Sequence, residues 1–241
     1  PVDLLHQFMI DVFKGVGTPE DDARISADVL IASDLRGIPS HGVQRLKMYY
    51  DRIKKGQHLA TTNFEIVKNQ GATAVIDGHH GNGHVIGYKS MKLAIDKAKK
   101  YGIGMVVARN STHYGIAGYY ALMAIKEGCI GMTGTNARPS VVPTFGVEPM
   151  LGTNPLTIGM PTDEPFPFVL DCATSIIQRG KVEVYARINK PLPEGCVIGA
   201  NGEPRTDAKQ LLIDFVEGKA ALLPLGGAGE ELAGYKGYGY S

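Results

Sequence analysis

The chain has 241 residues, of which 44% are apolar, and its 25 basic and 24 acidic side chains give a formal net charge of +1. This length predicts one large domain or two modest ones, and the composition is typical of a soluble globular protein with a sizeable core. The balanced charge, with no basic block, argues against nucleic acid or a membrane surface as a partner. No apolar run approaches the length needed to span a bilayer.

The three cysteines predict a reducing environment. Cys129, Cys172 and Cys196 are odd in number, lie far apart and form no C-x-x-C pair. Secreted proteins usually pair their cysteines, and the N-terminus here lacks a signal-peptide pattern. We therefore expect reduced thiols and a cytoplasmic location.

The first 70 residues predict a small helical unit. An apolar stripe marks a helix near the N-terminus, and residues 18–21 combine an N-cap threonine, a proline at the first helical position and acidic residues in the first turn. We expect this second helix to end near Arg36. Pro39 and Ser40 then predict the start of a third helix that ends at Gly56. The apolar positions of this third helix are Val43, Leu46, Tyr50 and Ile53.

From Phe64 onward the sequence predicts alternating strands and helices. Two short strands at 64–67 and 73–76 are separated by turn residues, so we place a domain boundary near residue 70. Further strands are expected at 104–108, 130–135, 155–160 and 167–170, and further helices at 83–100, 117–127, 174–188 and 207–216. The predicted class is therefore α+β or mixed α/β, with the helices segregated early.

Ser40, His41 and Arg45 form the first candidate site. A helix capped by Ser40 would place His41 and Arg45 on one face, at the positive end of the helix dipole. A guanidinium can bind a carboxylate through two parallel hydrogen bonds, and an imidazole one turn away can move a proton. This pair would suit a small carboxylic acid with a reactive carbon next to its carboxylate. An ordinary capped surface helix with a solvated arginine is the alternative.

His113 is the second candidate. It lies between a predicted strand and a predicted helix, and loops at the carboxyl ends of strands often carry ligand-binding and catalytic groups. A histidine there could protonate a carbonyl oxygen as a hydride arrives at the carbonyl carbon. The alternative is a loop histidine whose ring nitrogens bind only water.

His79, His80 and His84 are a possible metal site. Zinc is commonly bound by histidines, and His80 and His84 have the spacing of a helical ligand pair. Only Asp77 is close enough in sequence to complete the ligand set, and the surrounding glycines indicate a turn that opens a helix. We favour the turn, and we expect no metal.

Two glycine-rich stretches near the C-terminus could hold phosphate groups. Residues 226–229 and 234–239 offer backbone N–H groups, and Lys236 would add positive charge. Two flexible surface turns are equally compatible with these residues. Neither stretch has the G-x-G-x-x-G spacing, so a bound dinucleotide would lie in a fold other than the Rossmann fold.

These segments together resemble the type 2 malate/L-lactate dehydrogenases, a family that includes sulfolactate and ureidoglycolate dehydrogenases and a cyclic imino-acid reductase. The resemblance covers almost the whole chain. The matching segments are Ser40-His41-Gly42 with Arg45, Asp77-Gly78, residues 110–118, residues 152–155, residues 171–174, Gly180-Lys181 and residues 236–239. The resemblance implies an oxidoreductase that uses NAD or NADP, a non-Rossmann cofactor domain, and a homodimer with its active sites near the subunit interface.

The resemblance also implies roles for single residues. His113 resembles the proton donor and acceptor and is expected to contact the cofactor as well. Ser40 and His41 resemble a polar relay beside it, and Arg45 resembles the carboxylate clamp. In related enzymes the Ser–His pair has the acid/base role instead, so the assignment between His41 and His113 is open. The implied cofactor-side residues are Asp171, Cys172, Ala173, Thr174, Lys181 and Lys236, with Cys172 in place of the more usual methionine.

The implied domain division has three parts. Residues 1–70 would be the helical part of a substrate and dimerisation domain, and residues 71–235 the NAD(P)-binding domain, a largely β sheet flanked by helices. Residues 236–241 would begin the return to the first domain. Because a further helical segment follows the Lys-Gly-Tyr-Gly motif in the family, we expect a C-terminal segment to be missing after Ser241.

The expected reaction is hydride transfer between NAD(P) and a small 2-hydroxy or 2-oxo acid. Malate and oxaloacetate are the first choice on the resemblance, followed by lactate-like and sulfolactate-like acids. Reduction of a cyclic 2-imino acid is the alternative within the family. From other classes, the alternatives are a histidine-centred metal hydrolase and an inactive fragment that only binds partners.

Overall fold

The computed structural model describes residues 1–227 and 234–241, with only the backbone described for Tyr235 and Lys236. Packing divides the chain into two units. Unit 1 consists of Pro1–Thr133 and Ile158–Leu170, and unit 2 of Gly134–Thr157 and Asp171–Ser241. This is a division by packing, and the functional division at residues 70 and 235 stays a prediction.

Unit 1 begins with three helices around a shared apolar core. The helices are α1 (Val2–Gly15), α2 (Glu20–Leu35) and α3 (Leu46–Lys54), and two 3-10 turns, Pro39–His41 and Val43–Arg45, connect α2 to α3. All three helices contribute buried side chains, because each has an apolar face that it can cover only against the others. These side chains are Met9, Ile10, Phe13, Ala23, Ala27, Leu30, Leu46 and Tyr49.

The prediction that Ser40 caps a helix is wrong. The Ser40 hydroxyl lies 3.0 Å from Nδ1 of the neighbouring His41 and caps no helix. Gly42, with a ψ of −147°, separates the two 3-10 turns, so α3 begins only at Leu46. His41 and Arg45 therefore do not share one face of a continuous α-helix.

Two smaller expectations about these helices are also wrong. α2 begins after Pro19 without a side-chain cap, and the buried Thr18 hydroxyl has no hydrogen-bond partner among the described residues. In α3, Tyr49 faces the core with 1% of its surface exposed, whereas Tyr50 is 40% exposed. The buried tyrosine of α3 is thus Tyr49, one residue earlier than the predicted Tyr50.

A strand–helix–strand unit follows the helices, as the sequence predicts. It consists of β1 (Glu65–Gln70), β2 (Thr73–Asp77), α4 (Gly83–Tyr101) and β3 (Met105–Arg109). β1 and β2 form an antiparallel hairpin, and β2 and β3 pair in parallel. Parallel pairing brings the carboxyl ends of both strands to one edge, where the backbone N–H of His80 donates to the carbonyl of Asn110 over 2.7 Å. The loop that carries His113 is therefore fixed beside the loop that opens α4.

The remaining predicted strands form a second sheet. α5 (Gly118–Lys126) leads to β4 (Gly131–Gly134), β5 (Leu156–Met160) and β6 (Phe168–Cys172), with strand order β4-β5-β6. The described residues thus place β6 at an edge of this sheet. Most of each strand belongs to unit 1, apart from a few terminal residues.

Unit 2 has its own apolar core. Its elements are α6 (Arg179–Arg187), β7 (Val197–Gly199), α7 (Ala208–Glu217), β8 (Ala220–Leu222) and α8 (Gly234–Tyr240). Asp207 caps α7 as predicted, by accepting hydrogen bonds from two backbone N–H groups. The helix predicted from residue 174 forms only from Arg179, because residues 174–176 pair with residues 223–225 instead: the Thr174 carbonyl accepts from the Leu225 N–H, and the Ile176 N–H donates to the Leu223 carbonyl. The short strands β7 and β8 were not predicted.

The elements together confirm the predicted mixed α/β class. None of the helices in the described ranges combines the length and the apolar character that crossing a bilayer requires.

Candidate active site

His113 lies in the loop after β3, as predicted, and one of its ring nitrogens is held by the protein. Its Nδ1 is hydrogen-bonded to the hydroxyl of Tyr49 from α3, and the Gly115 N–H approaches the same nitrogen at 3.4 Å. Within the described ranges, Nε2 has no hydrogen-bond partner, and the residue is half-buried. Nε2 is therefore the nitrogen that can serve a ligand.

His41 lies against His113, so the structure brings the two candidate proton donors together. Their ring centroids are 5.5 Å apart and the ring planes differ by 18°, which is a stacked arrangement. Ser40 is buried and hydrogen-bonds Nδ1 of His41 at 3.0 Å. Both histidines are thus held through Nδ1 by a hydroxyl group. In each ring, Nε2 is the nitrogen that this hydroxyl does not bind.

Arg45 lies beside these histidines, although not through the predicted helical face. Its Nε donates a 2.8 Å hydrogen bond to the backbone carbonyl of Ser40, which closes the turn between them. Its positive charge lowers the pKa of both His41 and His113, after the larger effect of burial. Arg45 is therefore within electrostatic reach of any anion that contacts either ring.

Burial keeps the imidazole rings and the phenol of this site uncharged. It lowers the pKa of His41 to about 4, with a smaller effect of Arg45. It also lowers the pKa of His113 well below the usual 6.5, and a proton on His41 or His84 would act in the same direction. Burial raises the pKa of the Tyr49 phenol above its usual value, so this group keeps its proton. At neutral pH the site presents neutral imidazoles and a protonated phenol.

Three further side chains that pack around His41 and His113 were not assigned to this site from the sequence. Tyr49 makes the contact to His113 through its hydroxyl. His84 is fully buried with its ring centroid 4.6 Å from that of Tyr49, and neither of its ring nitrogens has a hydrogen-bond partner in the described part of the chain. His58 is 8% exposed, with its ring centroid 6.2 Å from Tyr49. No sequence pattern distinguishes His58 or His84 from surface histidines.

The three histidines of the possible metal site do not converge. Nε2 of His79 lies 2.6 Å from a carboxylate oxygen of Glu65, His80 is exposed and His84 is buried. His79 and His80 have φ values of 45° and 58°, and α4 begins only at Gly83, so His80 and His84 are not a helical pair. Within the described ranges, no three His, Cys, Asp or Glu side chains gather in a way that could hold a metal ion.

Side-chain hydrogen bonds fix the His113 loop to its neighbour. The Asp77 carboxylate, at the end of β2, accepts hydrogen bonds from the backbone N–H of His79 and from the Asn110 side-chain amide, at 2.9 and 3.0 Å from Oδ1. These bonds lower the pKa of Asp77 to about 2. The Thr112 hydroxyl accepts a 2.9 Å hydrogen bond from the N–H of Gly83. The loop that carries His113 is therefore held by the end of β2 through Asn110 and by the start of α4 through Thr112.

The segment 171–174, assigned to the cofactor, contacts one other matching segment in unit 2, residues 152–155. Asp171 and Cys172 are exposed at the end of β6, and the Asp171 carboxylate accepts a 2.8 Å hydrogen bond from the Thr157 hydroxyl. Ala173 is half-buried. The buried Thr174 donates its hydroxyl to the carbonyls of residues 153 and 154 at 3.2 Å. Two of the matching segments thus pack together.

The other cofactor-side residues are in two helices of unit 2. Lys181 is exposed near the start of α6, with its ammonium group 5.5 Å from the centroid of the Tyr185 ring. Lys236 is in α8, and its side chain is outside the described residues, as are residues 228 and 229 of the first glycine-rich stretch. Gly237 packs closely on the backbone of Leu225, since a Cβ there would lie 2.4 Å from the Leu225 nitrogen.

The comparisons with known proteins agree with one another. Residues 1–241 match the family model described as malate/L-lactate dehydrogenase. The malate dehydrogenase of Pyrococcus horikoshii is 52% identical over 241 residues, which are 100% of this chain and 65% of that protein. The L-sulfolactate dehydrogenase of Methanocaldococcus jannaschii is 43% identical over 233 residues, 97% of this chain and 64% of that protein. The crystal structure of malate dehydrogenase from Entamoeba histolytica has a TM-score of 0.96 and 52% identity, covering 100% of this chain and 67% of that one.

The chain therefore spans about two-thirds of the length of the relatives that it matches, 65% of the Pyrococcus protein. The match extends over all residues of this chain, including the loops that carry Ser40, His41, Arg45 and His113. The resemblance inferred from separate motifs is thus confirmed by the alignment as a whole. The chain belongs to the malate/L-lactate dehydrogenase family.

Proposed function

We propose that the protein transfers a hydride reversibly between NAD or NADP and a small 2-hydroxy or 2-oxo acid, with malate and oxaloacetate as the first candidates. Relatives named malate dehydrogenase, at 52% identity, and L-sulfolactate dehydrogenase, at 43%, support this assignment. Malate and sulfolactate both carry a second anionic group besides the carboxylate next to the reactive carbon. A substrate of that type suits a site that contains arginines and no described carboxylate in contact with His113.

The observation that carries the proposal is the anchoring of His113. Tyr49 holds Nδ1, so Nε2 points its lone pair or its proton away from the hydroxyl, and the stacked ring of His41 limits rotation. A general acid must be within hydrogen-bond reach of the oxygen that it protonates and must keep one orientation during the reaction. The Tyr49–His113 pair supports the fixed orientation, and it leaves Nε2 as the nitrogen that would reach the substrate oxygen.

The chain's own residues would act as follows in the direction of reduction. Arg45 pairs with the substrate carboxylate and thereby places the neighbouring carbonyl oxygen near Nε2 of His113. The incoming anion opposes the positive charges that lower the pKa of His113, so it favours the protonated imidazole. Nε2 then gives its proton to the carbonyl oxygen, and His113 ends the step neutral. In the direction of oxidation, neutral His113 accepts the hydroxyl proton.

The roles of His41 and His113 can be exchanged in this scheme, because both are held through Nδ1. Ser40 would then orient the donor, and the Tyr49–His113 pair would bind the carbonyl oxygen without transferring a proton. We favour His113 because its partner Tyr49 is the more deeply anchored group, with 1% of its surface exposed against 5% for Ser40. Exchange of the two roles is an outcome that the variants below distinguish.

The residues of unit 2 fit a nicotinamide dinucleotide in two respects. β6 is an edge strand of its sheet with Asp171 and Cys172 exposed, so its backbone N–H and C=O groups are accessible to a planar carboxamide. Lys181 is an exposed cation that could pair with a phosphate. When bound, the nicotinamide supplies the hydride that reduces the carbonyl carbon. The described strands lie in three small sheets rather than one large parallel sheet, which supports a cofactor domain that is not a Rossmann fold.

A homodimer and a cytoplasmic location are part of the same proposal. The three cysteines are free, as expected in a reducing compartment. Several apolar side chains on exposed strands would be covered in a dimer. These side chains are Met105, Val107, Met132, Phe168 and Leu170, each 48–59% exposed.

The proposal is tested by titrating the purified protein with NADH and with NADPH, followed by a screen of 2-oxo acids. Oxaloacetate, sulfopyruvate, pyruvate and a cyclic 2-imino acid should be compared at equal concentration. We expect binding of at least one reduced cofactor and the highest kcat/KM for an acid with two anionic groups. Binding of neither cofactor, or turnover of none of these acids, would contradict the proposal.

A further inference from the structure

The turn that carries His41 and Arg45 has an unusual neighbour, the carboxylate of Asp34. Asp34 is in the last turn of α2, and its Oδ2 accepts a 2.8 Å hydrogen bond from the backbone N–H of Val43. Val43 is the first residue of the second 3-10 turn, whose own carbonyls cannot satisfy that N–H. A carboxylate from another helix therefore caps the turn that ends at Arg45.

Gly42 shows how closely the carboxylate approaches the turn. A Cβ at this position would lie 1.9 Å from Oδ1 of Asp34 and 2.2 Å from its Cγ. The φ of Gly42 is −89° and so lies outside the left-handed region; what the contact requires of this glycine is the space that its missing Cβ leaves for the carboxylate. The missing side chain of Gly42 thus leaves room for the Asp34 carboxylate.

We propose that Asp34 is a positioning residue that holds His41 and Arg45 in their reactive arrangement. Two hydrogen bonds hold the segment from Ser40 to Arg45. Asp34 binds its middle through Val43, and Arg45 closes it by donating from Nε to the Ser40 carbonyl at 2.8 Å. Because Arg45 comes two residues after Val43, a shift of the Val43 peptide moves the guanidinium as well as the His41 backbone. This inference rests on the proposed function, in which those two side chains contact the substrate.

The role predicts a specific pattern of kinetic effects. Asp34→Ala removes the acceptor for the Val43 N–H and leaves the substrate-binding groups in place. We expect kcat/KM for the 2-oxo acid to fall about 10- to 100-fold, the size of effect that a misplacement of about 1 Å produces. The Kd of NADH or NADPH should remain within about twofold, since none of the residues assigned to it is in the turn from Ser40 to Arg45. Asp34→Asn keeps an oxygen that can accept the same hydrogen bond, so it should restore most of the lost activity.

A double-mutant cycle with Gly42→Ala tests the contact itself. The new Cβ collides with the carboxylate only when Asp34 is present, so each single substitution should be harmful and the double substitution no worse than the more harmful single one. Gly15→Ala is a matched control, because a Cβ at Gly15 has no neighbour within 4 Å. Both kcat/KM and the midpoint of thermal unfolding should be measured for the wild type and all variants.

The outcomes separate this inference from the proposed function. Non-additive effects in the cycle, a preserved cofactor Kd and recovery with Asp34→Asn would support it. Additive effects in unfolding and activity, or an Asp34→Ala variant with unchanged kcat/KM, would overturn it. If the wild type reduces no 2-oxo acid, the proposed function fails, and the unfolding midpoints alone then decide the contact: coupling supports the capping of the turn by Asp34, and additivity overturns it.

Discussion

The hydroxyl of Tyr49 and Nδ1 of His113 are hydrogen-bonded to each other although 64 positions separate them in the chain. α3 supplies the tyrosine, and the loop after β3 supplies the histidine. This bond joins the N-terminal helices to the strand–helix–strand unit at the point where the candidate catalytic groups meet. It also determines which ring nitrogen of His113 is left for a ligand, so the proposed chemistry depends on it.

Tyr49→Phe removes this bond and is expected to lower kcat about tenfold, the effect of one hydrogen bond worth about 1.4 kcal/mol. The pH dependence of kcat should also shift, because Nδ1 loses the partner that stabilises its protonated form. Tyr50→Phe is the matched control, since Tyr50 is 40% exposed on the next position of the same helix. Identical pH profiles for the two variants would show that Tyr49 has only a packing role.

Arg45→Lys should weaken the binding of the substrate carboxylate. An ammonium group cannot make two parallel hydrogen bonds, and lysine has no Nε–H to donate to the Ser40 carbonyl. We expect kcat/KM to fall by the equivalent of about 2–3 kcal/mol, mainly through KM. Arg24→Lys, at an exposed arginine that pairs with Glu20, serves as the control. Unchanged KM in steady-state assays would remove Arg45 from the site.

The sequence predicts those parts of the fold that depend on local interactions. Asp207 caps α7 as predicted, because its carboxylate oxygen binds N–H groups two and three residues away. Ser40 fails as a cap because its hydroxyl and its carbonyl are bound by His41 and Arg45, an arrangement that exists only once the site is assembled.

The candidate site is predictable in part for the same reason. His113 follows a strand in a parallel pair, and that position alone indicates a functional loop. Tyr49, His84 and Asp34 contribute through contacts with distant segments, and no spacing in the sequence reports such contacts. Their identification requires the packing of α2, α3 and α4 against one another.

Acid is expected to destabilise the protein through its buried histidines. Burial lowers the pKa of His41 and His58 to about 4 and that of His84 to about 3. The unfolded chain binds protons at these groups below about pH 6.5 whereas the folded chain does not, so stability is fully present above pH 6.5 and falls as the pH decreases towards 4. Each histidine contributes up to about 1.4 kcal/mol per pH unit in this window.

Urea unfolding at pH 7 and pH 5 measures this effect, and His84→Phe identifies one contributor. The substitution removes two buried ring nitrogens that have no partner among the described residues, so it should not reduce stability at pH 7 and should flatten the pH dependence. Equal unfolding free energies for the wild type at both pH values would contradict the prediction that the buried histidines are uncharged in the folded protein.

Substrate binding should be linked to proton uptake. At pH 7 His113 is neutral in the free protein, and a bound dianion raises its pKa by opposing the nearby positive charges. Calorimetric titration of tartronate, a dicarboxylate that NADH and NADPH cannot reduce, into the protein with NADH or NADPH should show uptake of up to one proton when buffers of different ionisation enthalpy are compared. The affinity should decrease as the pH rises. Release of protons, or an unchanged uptake in His113→Gln, would contradict this account.

The central claim is that His113 gives a proton to a 2-oxo acid while NADH or NADPH reduces it. It is tested most directly by the loss of reduced-cofactor absorbance after addition of oxaloacetate to the wild type, His113→Ala, His41→Ala and the exposed control His80→Ala. The account predicts turnover by the wild type and the control, and a kcat about 10²–10⁴ lower in His113→Ala with nearly unchanged cofactor affinity. Full activity of His113→Ala together with loss of activity in His41→Ala would assign the proton to His41 and contradict the account.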